Sequence, residues 1–226
     1  MRARSRIAGR VLCISVVYRG GALPVAWCIV PAGEAGAWKP DGIAWLNGLD
    51  GVIPAEWTVI VLADRGLYAR WLYREIQALQ WHPFLRINKG GKARPKGCDT
   101  SHWLATFVPV QGYSWSGPVR CFTEASSRLD CTLVARWDED YQDPWLIVTD
   151  LLPTQADVAW YAMRAWIECG ENRYQTRRLE LASQQDGRSW TRGAALVGDG
   201  RGHLVGRERG WREGCLSTSQ YAGSFT

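Results

Sequence analysis

One stretch narrows the folds open to this chain more than any other. Trp57-Thr-Val-Ile-Val-Leu-Ala63 is an apolar run rich in β-branched residues, and it stops at Asp64. A run without polar alternation has no solvent face, so it predicts a strand buried on both sides of a sheet with packing layers above and below. After Asp64-Arg65-Gly66, the segment from Leu67 to Leu79 places Leu67, Trp71, Ile76 and Leu79 on an inward face, as an amphipathic helix does. Strand, acid, short turn and helix form an α/β layout, in which sites gather beyond the strand ends. Asp64 is therefore the first candidate for a functional side chain.

The rest of the chain extends this plan. Val11 to Arg19 is apolar on both alternating faces, and Gly20-Gly21 turns it back into Ala22 to Val30, which predicts a hairpin. Pro40 to Leu49 reads as a short helix with Trp45 and Leu46 inward. From about 81 to 145 the pattern becomes β-rich, in Trp81–Ile87, Trp103–Val108, Val119–Phe122 and Cys131–Arg136, with Gly, Ser and Asp turns between. Trp145–Thr149 restores a core strand. Pro153-Thr154 with Asp157 resembles a capping signal for a helix running through Glu168. The expected fold class is α/β, a mixed sheet with flanking helices and a β-rich insertion, within the size of one domain at 226 residues.

Composition excludes several functions. Seven cysteines, scattered and without a CxxC spacing, argue against a disulfide framework and a zinc site and fit a reducing cytoplasm. His82 and His102 have no neighbouring ligand pattern, and a surface or loop role is the expectation. The fourteen tryptophans fall along expected core elements, including Trp45, Trp57, Trp71, Trp145 and Trp166, so packing accounts for them better than base stacking. No phosphate-cradling GxxxxGK[ST] motif implies ATP, and neither a secretory leader nor an apolar run of membrane-spanning length is expected. The net charge of +5 is mild, but Lys89, Lys92, Arg94 and Lys96 crowd one Gly- and Pro-containing loop. Such a loop suits phosphate contacts or simple solvation.

The second constellation is Tyr161, Arg164 and Glu168. Their spacings of three, four and seven put phenol, guanidinium and carboxylate along one helical stripe, while Ala159, Met163 and Trp166 supply packing on another face. Taken alone, Arg164 and Glu168 also read as an i,i+4 ion pair contributing about 0.3–0.5 kcal/mol. With Asp64 at a strand end, however, two carboxylates could converge at one sheet edge, as divalent-metal phosphoryl transfer requires.

Together, Asp64-Arg65-Gly66 after an apolar strand, Tyr161-x2-Arg164-x3-Glu168, and the stretch Trp160 to Cys169 resemble the DDE transposases of bacterial insertion sequences. The likeness is to the branch with a β-rich insertion between the second and third acids, and it spans roughly 11–170. It implies a ribonuclease-H-like core that cuts and joins DNA with Mg²⁺ or Mn²⁺. It also implies Asp64 and Glu168 as catalytic metal ligands, Arg65, Arg164, Lys89 and Lys92 as DNA contacts, and Tyr161 as the residue positioning the strand. The implied partner is DNA, with homo-oligomers compatible and a cytoplasmic, nucleoid-associated location.

Two departures qualify that activity. The family's first acid lies on a strand before the hairpin, yet no acidic residue precedes Glu34. The signature lysine is replaced by Gln175, and 171–226 contains nine Gly and nine Arg but no Lys or Pro. Reading the codons permitted for Tyr174 to Ala182 one base later allows a lysine codon beginning inside Gln175. The same shift over Arg192 to Val205 allows an apolar, helix-like segment. The expectation is thus a transposase fragment, inactive and out of frame after Gly170, with an unstructured tail over 171–226. The alternatives are a noncatalytic DNA-binding protein and a ribonuclease-H-like nuclease.

Overall fold

The computed structural model describes residues 9–31, 36–167 and 193–199. Ten strands lie in one mixed sheet: β1 (Gly9–Tyr18), β2 (Gly21–Pro31), β3 (Thr58–Ala63), β4 (His82–Arg86), β5 (Lys92–Pro95), β6 (His102–Trp103), β7 (Ser114–Cys121), β8 (Leu129–Arg136), β9 (Trp145–Thr149) and β10 (Gly193–Asp199). Their order is β2-β1-β10-β3-β4-β9-β8-β7-β5-β6. Among the described residues, helices α1 (Lys39–Leu49), α2 (Arg70–Ala78) and α3 (Ala159–Ala162) accompany them, and 165–167 are helical as well.

The hairpin forms as expected, but its turn lies one residue earlier, at Arg19-Gly20 instead of Gly20-Gly21. Arg19 and Gly20 both have positive φ, 47° and 77°, the conformation of a two-residue turn whose twist matches the flanking strands. Glycine enters that region without a Cβ clash, but arginine does so at a cost. Arg19→Asn is therefore expected to raise stability by about 0.5 kcal/mol, read as a higher urea midpoint. An unchanged or lower midpoint would show that the turn does not limit the hairpin.

β3 is buried on both sides as expected, and its alternation divides the core. Val59, Val61 and Ala63 join Leu46 of α1 and Leu72, Tyr73 and Ile76 of α2 on one face. Ile60 and Leu62 join Phe84, Ile147, Tyr161 and Ile167 on the other. Helices thus cover both faces, and β3 pairs in parallel with β4 through the α2 crossover. Trp57 departs from expectation: it lies before the first residue of β3 and is exposed, outside the core.

The β-rich segment behaves differently from its reading in three places. Trp81–Ile87 is not part of an insertion in space, because β4 sits beside β3. The strands β5 to β8 extend the same sheet beyond β9. Trp103–Val108 is not a strand, since only Trp103 pairs and Leu104–Phe107 closes into a 3-10 turn that buries Leu104 and Phe107. Its apolar residues at a spacing of three serve such a turn as well as they serve a strand.

The expected unstructured tail needs a correction at seven residues. Gly193–Asp199 forms a strand in the middle of the sheet, parallel to β1 and antiparallel to β3. A run of small and apolar residues, Gly-Ala-Ala-Leu-Val-Gly-Asp, carries no proline or charge run that would prevent pairing between two strands. The remainder of 171–226, including Gln175, lies outside the described residues.

Tyr73 shows what burial does to a polar tip. Its hydroxyl is buried with no hydrogen-bond partner among the described residues, a state costing about 1–3 kcal/mol. Burial first, and then Cys131 and Asp150, pushes its ionisation well above the ordinary tyrosine range. A group whose folded pKa is raised stabilises the fold fully below its unfolded pKa and loses that contribution as pH rises, here from about pH 10 upward. Tyr73→Phe should hold or raise the urea midpoint at neutral pH and flatten its alkaline decline. A steeper decline in the variant would refute the assignment.

Candidate functional site

Asp64 is fixed by its own turn. The Leu67 amide donates to the Asp64 carbonyl at 2.8 Å, and the Arg65 amide donates to Asp64 Oδ1 at 2.7 Å. Aspartate at the first position of such a turn satisfies the backbone amide that follows it. This local bonding, at the end of a strand buried on both faces, sets where the carboxylate can lie.

The second constellation reaches it from the opposite layer. Tyr161 Oη donates to Asp64 Oδ1 at 3.4 Å across 97 positions of chain. This contact is long for a hydroxyl bond and correspondingly weak. Tyr161 is 2 % exposed and packs edge-on against Trp145, with ring centroids 5.2 Å apart. Burial pushes its ionisation up to about 12, with Asp64 adding to the rise while Arg164 and Arg86 oppose it. The phenol is neutral at physiological pH and available as a donor.

The helix carrying Tyr161 is shorter than its sequence suggests. Asp157 Oδ1 accepts from the Ala159 amide at 2.9 Å, but α3 stops at Ala162, a turn at Met163 and Arg164 with i→i−3 bonds such as Arg164 to Tyr161 interrupts it, and helix resumes over 165–167. In that tighter winding residues three apart eclipse. Tyr161 and Arg164 therefore still share a side, with the Arg164 guanidinium 5.6 Å from the Tyr161 ring centroid. Glu168, the third member of the stripe, lies outside the described residues.

Cations surround this corner. Arg65 Nη1 donates to Asp143 Oδ2 at 3.2 Å, and Lys89 Nζ donates to Asp143 Oδ1 at 2.9 Å. Arg86, at the end of β4, donates to the Pro144 carbonyl at 3.1 Å. A cleft of about 120 Å³ opens between Arg65, Arg86, Asn88, Lys89 and Asp143. The Lys89 ammonium, and after it the Arg65 guanidinium, holds the Asp143 carboxyl below the ordinary carboxylate range.

Of the expected site residues, Asp64, Arg65, Tyr161, Arg164 and Lys89 come into one neighbourhood. Lys92 does not: it opens β5, and its ammonium sits 4.5 Å from the Trp103 ring centroid. His82, expected on the surface or in a loop, is in β4 with Nδ1 at 3.0 Å from Asp150 Oδ1. Arg86 and Asp143 were not singled out from sequence. The basic cluster of 89–96 pointed near the cleft, but nothing in Gln142-Asp143-Pro144 signals a partner 54 or 78 positions away.

No group of three His, Cys, Asp or Glu able to hold a metal ion occurs among the described residues. Asp64 accepts from the Arg65 amide and the Tyr161 hydroxyl and gathers no second and third ligand among the described residues, so the described side chains do not fit a divalent ion, still less a pair. The described cysteines form no disulfide, although the Cys121 and Cys131 sulfurs lie 3.8 Å apart. No described helix is long and apolar enough to cross a membrane. Comparison with protein-family models, with curated proteins and with solved structures finds no match to this chain.

Proposed function

We propose that the chain is a DNA-binding domain of DDE-transposase descent with a ribonuclease-H-like core. The observation that carries the reading is the meeting of Tyr161 with Asp64 at 3.4 Å. Two motifs far apart in sequence, each matched to a different part of the transposase signature, come together at one sheet edge. The hairpin, the parallel β3–α2–β4 unit and helices on both faces support the same core.

Cleavage and strand transfer with Mg²⁺ or Mn²⁺ need a converging set of carboxylates, and no group of three possible metal ligands occurs among the described residues. The reading is of a domain that binds DNA without cutting it, in the nucleoid, alone or as a homo-oligomer. Arg65 and Lys89 supply phosphate contacts, and the neutral Tyr161 phenol stands beside Asp64 as a hydrogen-bond donor.

Fluorescence anisotropy with a labelled 20-base-pair duplex, followed by incubation of the complex with Mn²⁺, tests it. Binding should weaken steeply with salt, and Lys89→Ala should lower the salt slope by about one counterion. No nicked or joined product should form. Absence of duplex binding at low salt would overturn the reading, and metal-dependent strand joining would show that the acid set is complete.

A further inference from the structure

The cleft beside Asp64 contains a contact that a DNA-binding surface would not keep while occupied. Arg65 comes from the turn after β3, Arg86 from the end of β4, Lys89 from the loop beyond it, and Asp143 from the loop before β9. Both carboxylate oxygens of Asp143 are engaged, one by Arg65 at 3.2 Å and the other by Lys89 at 2.9 Å. Three cations thus converge on a space of about 120 Å³, room for several waters and hence for a phosphate group in their place. The one anion they meet there is supplied by the protein.

We propose that this cleft is a phosphate-binding subsite for the DNA phosphodiester backbone, held closed by Asp143 acting as an internal stand-in for the phosphate. A phosphodiester and a carboxylate each present two anionic oxygens, and guanidinium and ammonium donors bind either. The latch is built to yield: side-chain exposure is 51 % at Arg65 and 64 % at Lys89, against 33 % at Asp143, and exposed ion pairs are weak. Incoming phosphate takes the two donors, and Asp143 swings to solvent. Arg86, tethered to the Pro144 carbonyl at 3.1 Å, keeps the loop bearing Asp143 beside the cleft in both states.

This inference rests on the DNA reading for its ligand but not for its geometry, so two probes separate them. The full chain is titrated with inorganic phosphate by calorimetry and with the labelled duplex by anisotropy. Asp143→Asn should tighten both by about five- to tenfold, the effect of removing one competing charge near a protein surface, and adding Lys89→Gln should abolish the gain. Asp99→Asn removes the same charge at an exposed residue outside the cleft and should leave both affinities nearly unchanged. Unchanged affinities in Asp143→Asn, or an equal gain in Asp99→Asn, would overturn the proposal. Tighter phosphate binding in Asp143→Asn without duplex binding would keep the subsite, assign it to free phosphate, and remove the DNA reading.

Discussion

Val197→Pro is expected to unfold the protein or bring it close to unfolding. Residue 197 pairs with Val17 on one side and Ile60 on the other, so a proline there removes a ladder donor and forces its ring between two strands. A central strand tolerates this poorly, at about 3 kcal/mol or more, against a total stability of about 5–15 kcal/mol for a domain of this kind. The effect should exceed that of an ordinary strand mutation. Among the described residues, the β1–β2 hairpin is hydrogen-bonded to the rest of the sheet only through β10. The measurement is the urea midpoint of the variant beside wild type, with hydrogen exchange on wild type, where the amides of 193–199 should be among the slow ones. A variant with an unchanged midpoint, or fast exchange over 193–199, would mean that this strand does not hold the sheet together.

Phe84→Ala carries the next largest effect. Phe84 is fully buried between β3 and the helix layer, with its ring centroid 5.9 Å from that of Trp160. Removing a buried phenyl group costs about 3–5 kcal/mol, most where the surroundings cannot close the cavity. Here the neighbours are Ile60, Leu62, Ile147 and the α3 segment that carries Tyr161. The informative partner is Tyr161→Phe. It deletes only a hydroxyl in a 3.4 Å contact, so it should change stability by less than about 1 kcal/mol. Paired urea melts should therefore separate a residue that seats the helix from one that addresses the acid. Equal losses in the two variants would show that the hydroxyl contact is a structural keystone.

Much of this geometry was legible because it is local. The β3 run and its turn are dictated by adjacent residues, as is the hairpin, where two strands flank a two-residue reversal. The encounter of Tyr161 with Asp64 was legible only in its place, since a strand end and a packing helix are where an α/β sheet gathers side chains; the pair expected there was Asp64 with Glu168, which lies outside the described residues. The rest failed where several structures satisfy the same spacing. Residues three apart suit an α-helix and a tighter turn alike, which is why the break at Met163 and Arg164 left no mark in the pattern, although helix resumes over 165–167 as expected. Trp57 belongs by composition to the strand beside it, but a residue at the strand's mouth escapes the core. β10 was hidden by its Gly- and Arg-rich surroundings, because its pairing partners lie on β1 and β3 and leave no periodicity in its own sequence. The Asp143 latch was invisible for the same reason, since an acid in a turn says nothing of which cations fold against it.

The central position of β10 also sets the order in which the molecule can be completed. A chain is made from its N-terminus, and the strands that flank β10 end at Tyr18 and Ala63. At a translation rate of about 5–20 residues per second, on the order of ten seconds pass between the emergence of β3 and that of Asp199. Throughout that interval two finished strands expose unpaired edges toward each other's vacant neighbour, and each can accept a strand from another nascent chain. Contacts between sequence-distant strands are also the slowest to form once available. The yield of folded protein is then governed by how the ribosome-bound chain is shielded while it waits, and slower translation of the stretch before 193 should lower it even though the finished sheet is the same.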